Sequence, residues 1–181
     1  MWAKPLFILG ALALAQPAAA CRFYKGLTEV DPANDAVIIV TGRISDYRII
    51  SDRQWRQRML ANPYLSDEDR QRYLDPTARL LPDYARFQLT VDRRLKGEIA
   101  DRVWVSWNNS TYAEPEQLGP GPFLFALTAP RGTVGPDDII LGGEVAERPE
   151  DYAPVQNPCA SAVILPLDSE AAKSLMAKFE P

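Results

Sequence analysis

Histidine is missing from all 181 residues. That absence excludes Ser-His-Asp and Cys-His nucleophile pairs and every metal site built on imidazole. Cysteine is nearly as scarce: Cys21 and Cys159 are the only two. Paired with each other, they leave no free thiolate for chemistry. An enzyme would have to work with carboxylate, Lys or Tyr groups, and no two acids stand out in the sequence as an acid–base couple. Long apolar runs are few. The longest, from Leu6 to Ala15, is about half of what a membrane-spanning helix needs. There is no internal repeat and no low-complexity tract. We therefore expect neither a catalytic residue nor a metal or cofactor site, and no transmembrane segment.

What is present at the N-terminus reads as an export signal. Lys4 gives a small positive region, the apolar run follows, Pro17 breaks it, and Ala18-Ala19-Ala20 supplies the small residues of a cleavage site. Cleavage between Ala20 and Cys21 leaves residues 21–181 as one domain, periplasmic or secreted. A cysteine at the new N-terminus is also the acceptor in lipoprotein processing. Ala18, three residues before it, departs from the bulky aliphatic residue of that pathway. The reading we prefer is a disulfide between Cys21 and Cys159, as an even cysteine count in an exported chain suggests. The chain-entropy model credits a loop of that length with roughly 4–5 kcal/mol, less any native strain.

Charge is spread unevenly. Residues 43–102 hold 13 Lys+Arg against 10 Asp+Glu, a balance of +3; residues 103–181 hold 4 against 11, a balance of −7. The whole chain is at −4. Nucleic acid, whose binding relies on a strong positive field, is a poor partner for such a protein. A protein or glycan partner outside the cytoplasm fits better.

Periodicity gives the elements. Residues 36–50 are dense in β-branched side chains after an Asn34-Asp35 turn signal and read as a long strand, with Gly42 marking a bend or bulge. Residues 51–82 read as a helical insertion. Ser51 with Gln54 resembles a capping box, Ser66 with Asp69 a second, and Trp55, Met59, Tyr73 and Leu74 form its expected apolar underside. Its arginines alternate with acids at helical spacing, the pattern of a solvated face. Residues 84–95 alternate cleanly, with Phe87, Leu89 and Val91 inward and Arg86, Gln88, Thr90 and Asp92 outward. Gly97 starts the next turn. Residues 102–107 form a third strand with Val103, Val105 and Trp107 on one face and Trp104 on the other; core packing and cover from the insertion account for the two tryptophans. After a Pro/Gly loop at 108–122 comes an apolar strand at 123–128, FLFALT. A short strand is expected near 139–141, loop at 149–158, an edge strand at 163–165, and a helix over 168–179 capped by Asp168-Ser169. This is a mainly β chain, a small antiparallel barrel or sandwich with a C-terminal helix.

The order of these features resembles a known family. A cysteine after the signal precedes Val37-Ile38-Ile39-Val40-Thr41-Gly42-Arg43-Ile44. Then come an alternating strand ending in Leu95-Lys96-Gly97, a Val103-Trp104-Val105 strand, Leu118-Gly119-Pro120-Gly121-Pro122 leading into Phe123-Leu124-Phe125-Ala126, and the late Cys159. The arrangement resembles the exported bacterial netrin-like, tissue-inhibitor-of-metalloproteinases-like proteins over roughly residues 21–165, the insertion apart. The resemblance implies an OB-like barrel with Cys21 stapled onto it. Arg22-Phe23 stands where the family often has the rest of a Cys-x-Cys start, and a mid-chain cysteine is missing. From the eukaryotic inhibitors, only Cys21 could be carried over, as a chelator of a protease's zinc through its free amine and carbonyl. The function expected is a non-catalytic binding module. The alternatives are a protease inhibitor acting through Cys21 and an enzyme using carboxylates.

Overall fold

The computed structural model of the chain describes residues 30–80, 83–108, 115–132, 148–156 and 161–179. It is mainly β. Six strands form one sheet: β1 (Ile38–Ile50), β2 (Tyr84–Lys96), β3 (Arg102–Asn108), β4 (Phe123–Thr128), β5 (Ala153–Pro154) and β6 (Ile164–Pro166). Their order is β3-β2-β1-β4-β5, with β6 also on β4, and every ladder is antiparallel. The ladders leave the sheet open. Its two far edges nonetheless touch at one parallel bridge, Val105 with Tyr152. There the Ser106 amide donates to the Tyr152 carbonyl and the Tyr152 amide to the Trp104 carbonyl.

β1 is long enough to pair with β2 on one side and β4 on the other, and it bends to do so. The register slips at Thr41/Gly42, where a Cβ on Gly42 would lie 2.4 Å from the Thr90 carbonyl oxygen and 2.7 Å from Leu89 Cδ1. The expected bulge is present at Gly42, and close approach of the next strand is what requires a glycine there. Further slips lie at Ile39/Val40 and at Ser45/Arg48, the latter passing through Asp46, in the left-handed region at φ 54°.

Period-two alternation divides the sheet into an inner and an outer face. Inside, Ile38, Val40, Ile44, Phe87, Leu89, Val105, Phe125 and Leu127 make the main core. Outside, Ile39, Leu124 and Ala126 pack under Ala172 and Leu175 of the C-terminal helix. β4 is therefore buried on both faces, which is why FLFALT carries no polar residue before Thr128.

Four helices accompany this sheet among the described residues. α1 (Pro32–Asp35) was expected as a simple turn; Asp31 caps it and Pro32 starts it, the favoured first position for proline. α2 (Arg53–Leu60) is capped by Asp52, whose carboxylate accepts from the Trp55 amide. Ser51 is therefore not the cap, an aspartate one residue later being the equal or better acceptor. α3 (Asp67–Leu74) has the expected cap, Ser66. α4 (Glu170–Met176), capped by Ser169, is shorter than its apolar spacing suggests, ending before the turns at 177–179.

Trp55 and Tyr73 do meet edge to face, with ring centroids 5.1 Å apart, but Leu74 is exposed. The arginines are not uniformly solvated: Arg56 is buried. Nor is 149–158 all loop, since it carries β5 and the bridging Tyr152. The expected strand at 139–141 lies outside the described residues.

Candidate functional site

α4 covers the outer side of β4 and the first part of β1. The outer face of β3, β2 and the second half of β1 carries a different set of side chains, and the register places them in rows. Arg48 lies opposite Arg86, and Arg86 opposite Ser106; Ser45 lies opposite Gln88, and Gln88 opposite Trp104; Arg43 lies opposite Thr90, and Thr90 opposite Arg102. Arg43, Ser45, Arg48 and Arg102 are exposed, while Gln88, Thr90 and Trp104 are half-buried.

The centre of this face is an ion pair with three hydrogen bonds. Arg86 donates from Nε to Asp151 Oδ2 at 2.7 Å and from a terminal nitrogen to Oδ1 at 3.0 Å, a two-pronged pair. The Ser106 hydroxyl donates to the same carboxylate at 2.6 Å. With the Asp151 side chain 2% exposed and that of Arg86 13% exposed, this pair is sequestered from solvent. The flat guanidinium of Arg86 lies 4.2 Å from the centroid of the Trp104 ring. Arg48 approaches the same ring at 5.7 Å. Both geometries suit cation–π attraction. Trp104 is thus held by two arginines of its own sheet, a contact its position in the sequence did not suggest. Trp107 packs against the inner core, as expected.

Charges on the face divide into paired and unpaired. Arg86 is neutralised by Asp151, and Arg43 reaches Asp92 at 3.5 Å with both side chains largely in solvent. Neither Arg48 nor Arg102 has a carboxylate partner among the described residues. Beside the face, a hydrogen bond with the Tyr84 side chain holds the Arg148 guanidinium above its ordinary pKa.

The insertion joins the sheet through a second buried ion pair. Arg56 donates to Asp83 Oδ2 at 2.8 Å and to the carbonyls of Ala78 and Asp75. Asp83 also accepts from the amides of Asp52 and Leu80. In the same segment, the Thr77 hydroxyl and amide hold Asp75 below the usual carboxylate range. Elsewhere, a groove of about 430 Å³ runs between Gly119–Phe123 and Pro166–Asp168. Its walls are mostly proline, Phe123 and Leu167, so it lacks the converging polar groups that give a small-molecule pocket its specificity.

Ala20, Cys21 and Cys159, the residues singled out for cleavage, bridging or inhibition, lie outside the described residues. The face described here was only half visible in the sequence. Alternation placed Arg86, Gln88 and Thr90 together, but Asp151 sat in an apparent loop, and Arg48 follows a bulge that shifts the alternation of β1. No three or more acidic or thiol side chains among the described residues are arranged to hold a metal ion. Compared with family models, curated proteins and solved structures, the chain finds no match.

Proposed function

We propose that the chain is an exported, non-catalytic binding module of OB-like type, and that it engages its partner through the outer face of β1, β2 and β3. The observation that carries this reading is the pair of exposed arginines, Arg48 and Arg102, without carboxylate partners among the described residues on a sheet face built around Trp104. Exposed guanidinium groups beside a fixed aromatic ring are the equipment of recognition surfaces. The strand order also supports it: in OB barrels the face of the second and third strands is a common ligand surface. Export rests on the signal-like residues 1–20, and the Cys21–Cys159 bridge on the cysteine count.

The test is retention of the full mature chain on immobilised envelope material from a host that exports it. Wild type is expected to be retained, and a variant carrying Trp104→Ala with Arg48→Glu to be lost, while Arg58→Glu on the exposed side of α2 leaves retention unchanged. Equal retention of all three proteins overturns the assignment of the face.

A further inference from the structure

We infer that the partner is a carboxylate-bearing polysaccharide, a uronate-containing glycan, lying across the outer face of β1–β3; this deepens the binding-module reading above and rests on it. Charge points to an acidic partner. Four arginines hold register positions on this face, Arg43, Arg48, Arg86 and Arg102; Asp92 and Asp151 pair with two of them, and exposed Asp46, in the bulge before Arg48, forms no ion pair among the described residues. Asp151 is consumed inside the sheet by Arg86 and Ser106. The surplus positive charge therefore belongs to exposed Arg48 and Arg102, on the two outer strands of the three. It persists on a chain whose overall charge is −4. A carboxylate is the natural complement of a guanidinium, which can grip it with two parallel hydrogen bonds.

The groups between the charges point to a sugar. Arg43 and Arg102 both flank Thr90, so their Cα atoms are about 10 Å apart, two strand spacings. The rows between and beside them hold Ser45, Gln88 and Thr90 around Trp104. Hydroxyl and amide groups next to an aromatic ring match a sugar, with its hydroxyl rim and apolar ring face. No aliphatic side chain occupies these rows, so an acidic peptide would find no seat for its own apolar residues. A phosphate polymer is the poorer fit, because counterion release needs many basic contacts and the rest of the molecule is acidic.

The experiment measures binding of the full mature chain to immobilised polygalacturonate, with dextran as the neutral polysaccharide, poly-L-glutamate as the acidic peptide and poly(dT) as the phosphate polymer. Polygalacturonate is expected to bind and dextran not to. Arg48→Glu with Arg102→Glu should weaken binding at least about tenfold. Arg58→Glu with Arg72→Glu, the same change in net charge on the exposed insertion, should alter it less than about twofold. All four positions are exposed, and unchanged melting temperatures verify that the variants are folded. Poly-L-glutamate or poly(dT) binding as tightly as polygalacturonate overturns the glycan. A wild type that ignores polygalacturonate yet is retained on envelope material overturns the uronate assignment and leaves the binding face standing. Equal loss in both double variants, or loss in neither, overturns the face as well.

Discussion

Asp83 is 2% exposed, and its carboxylate collects donors from three places: the amides of Asp52 and Leu80 and the guanidinium of Arg56. The first precedes α2, the second precedes β2, and the third belongs to α2 itself. One side chain thus ties both ends of the insertion to the start of β2. Replacing it with alanine leaves a buried guanidinium without its counter-ion, and one buried and one partly buried amide without their acceptor. Asp83→Ala should lower unfolding stability by about 3–5 kcal/mol in urea titration, the range for breaking a buried pair from one side. Replacing both partners by apolar residues, Arg56→Met with Asp83→Leu, should cost less than Asp83→Ala, because it removes the charges together. A double variant as unstable as the single would show that the amides, not the ion pair, need the carboxylate. Gly42 acts by a different physical route. A methyl group there meets the Thr90 carbonyl, which is backbone and can move only if β1 and β2 separate. Gly42→Ala is expected to cost about 1–3 kcal/mol, the usual penalty of overpacking, read by the same titration.

The elements follow their sequence signals where one physical requirement dominates. β2 alternates because only its inner face is buried along most of its length, so the pattern is legible. β4 is apolar from Phe123 to Leu127 because the inner core covers one of its faces and α4 the other, and an unbroken apolar run has few other uses in so short a segment. Elements requiring long-range partners were less legible. β5 is two residues long and exists only because β4 supplies its ladder. Arg56 looked like one solvated arginine among several, since its acceptors at 75, 78 and 83 come from a folded-back segment no local pattern announces. The candidate face was hidden for a similar reason: bulges at Thr41/Gly42 and Ser45/Arg48 carry β1 out of simple alternation. α4 tests the element-level account directly. Leu175 is 5% exposed against Ile39 and Leu124 on the outer side of the sheet. Leu175→Ala should destabilise by about 2–5 kcal/mol. Hydrogen exchange should show faster opening of the β4–β6 amides before those of β2–β3. Simultaneous acceleration of both ladders would mean that α4 is no separate cover but part of one cooperative unit.

Little backbone pairing holds the two far edges of the sheet together. Between β3 and the segment before β5 there is one bridge, formed by two backbone hydrogen bonds around Tyr152. Two such bonds contribute only about 1–3 kcal/mol together. The neighbouring residue strengthens the seam: Asp151 reaches back to Arg86 on β2 and Ser106 on β3, so its carboxylate spans the junction with three hydrogen bonds. It does so while almost wholly buried, where an ion pair depends on every lone pair being used. The same interaction flattens Arg86 against Trp104, so the seam and the candidate face share a part. Asp151→Asn keeps the size and some acceptor capacity but removes the charge, leaving Arg86 without its counter-ion. We expect the amides of Ser106 and Tyr152 to exchange markedly faster in this variant, with the β1–β2 ladder still protected. Trp104 fluorescence should shift as its guanidinium cover loosens. If those two amides keep wild-type exchange rates while stability falls, the carboxylate supports β2 alone. The edges are then joined by their backbone bridge, without help from the ion pair beside it.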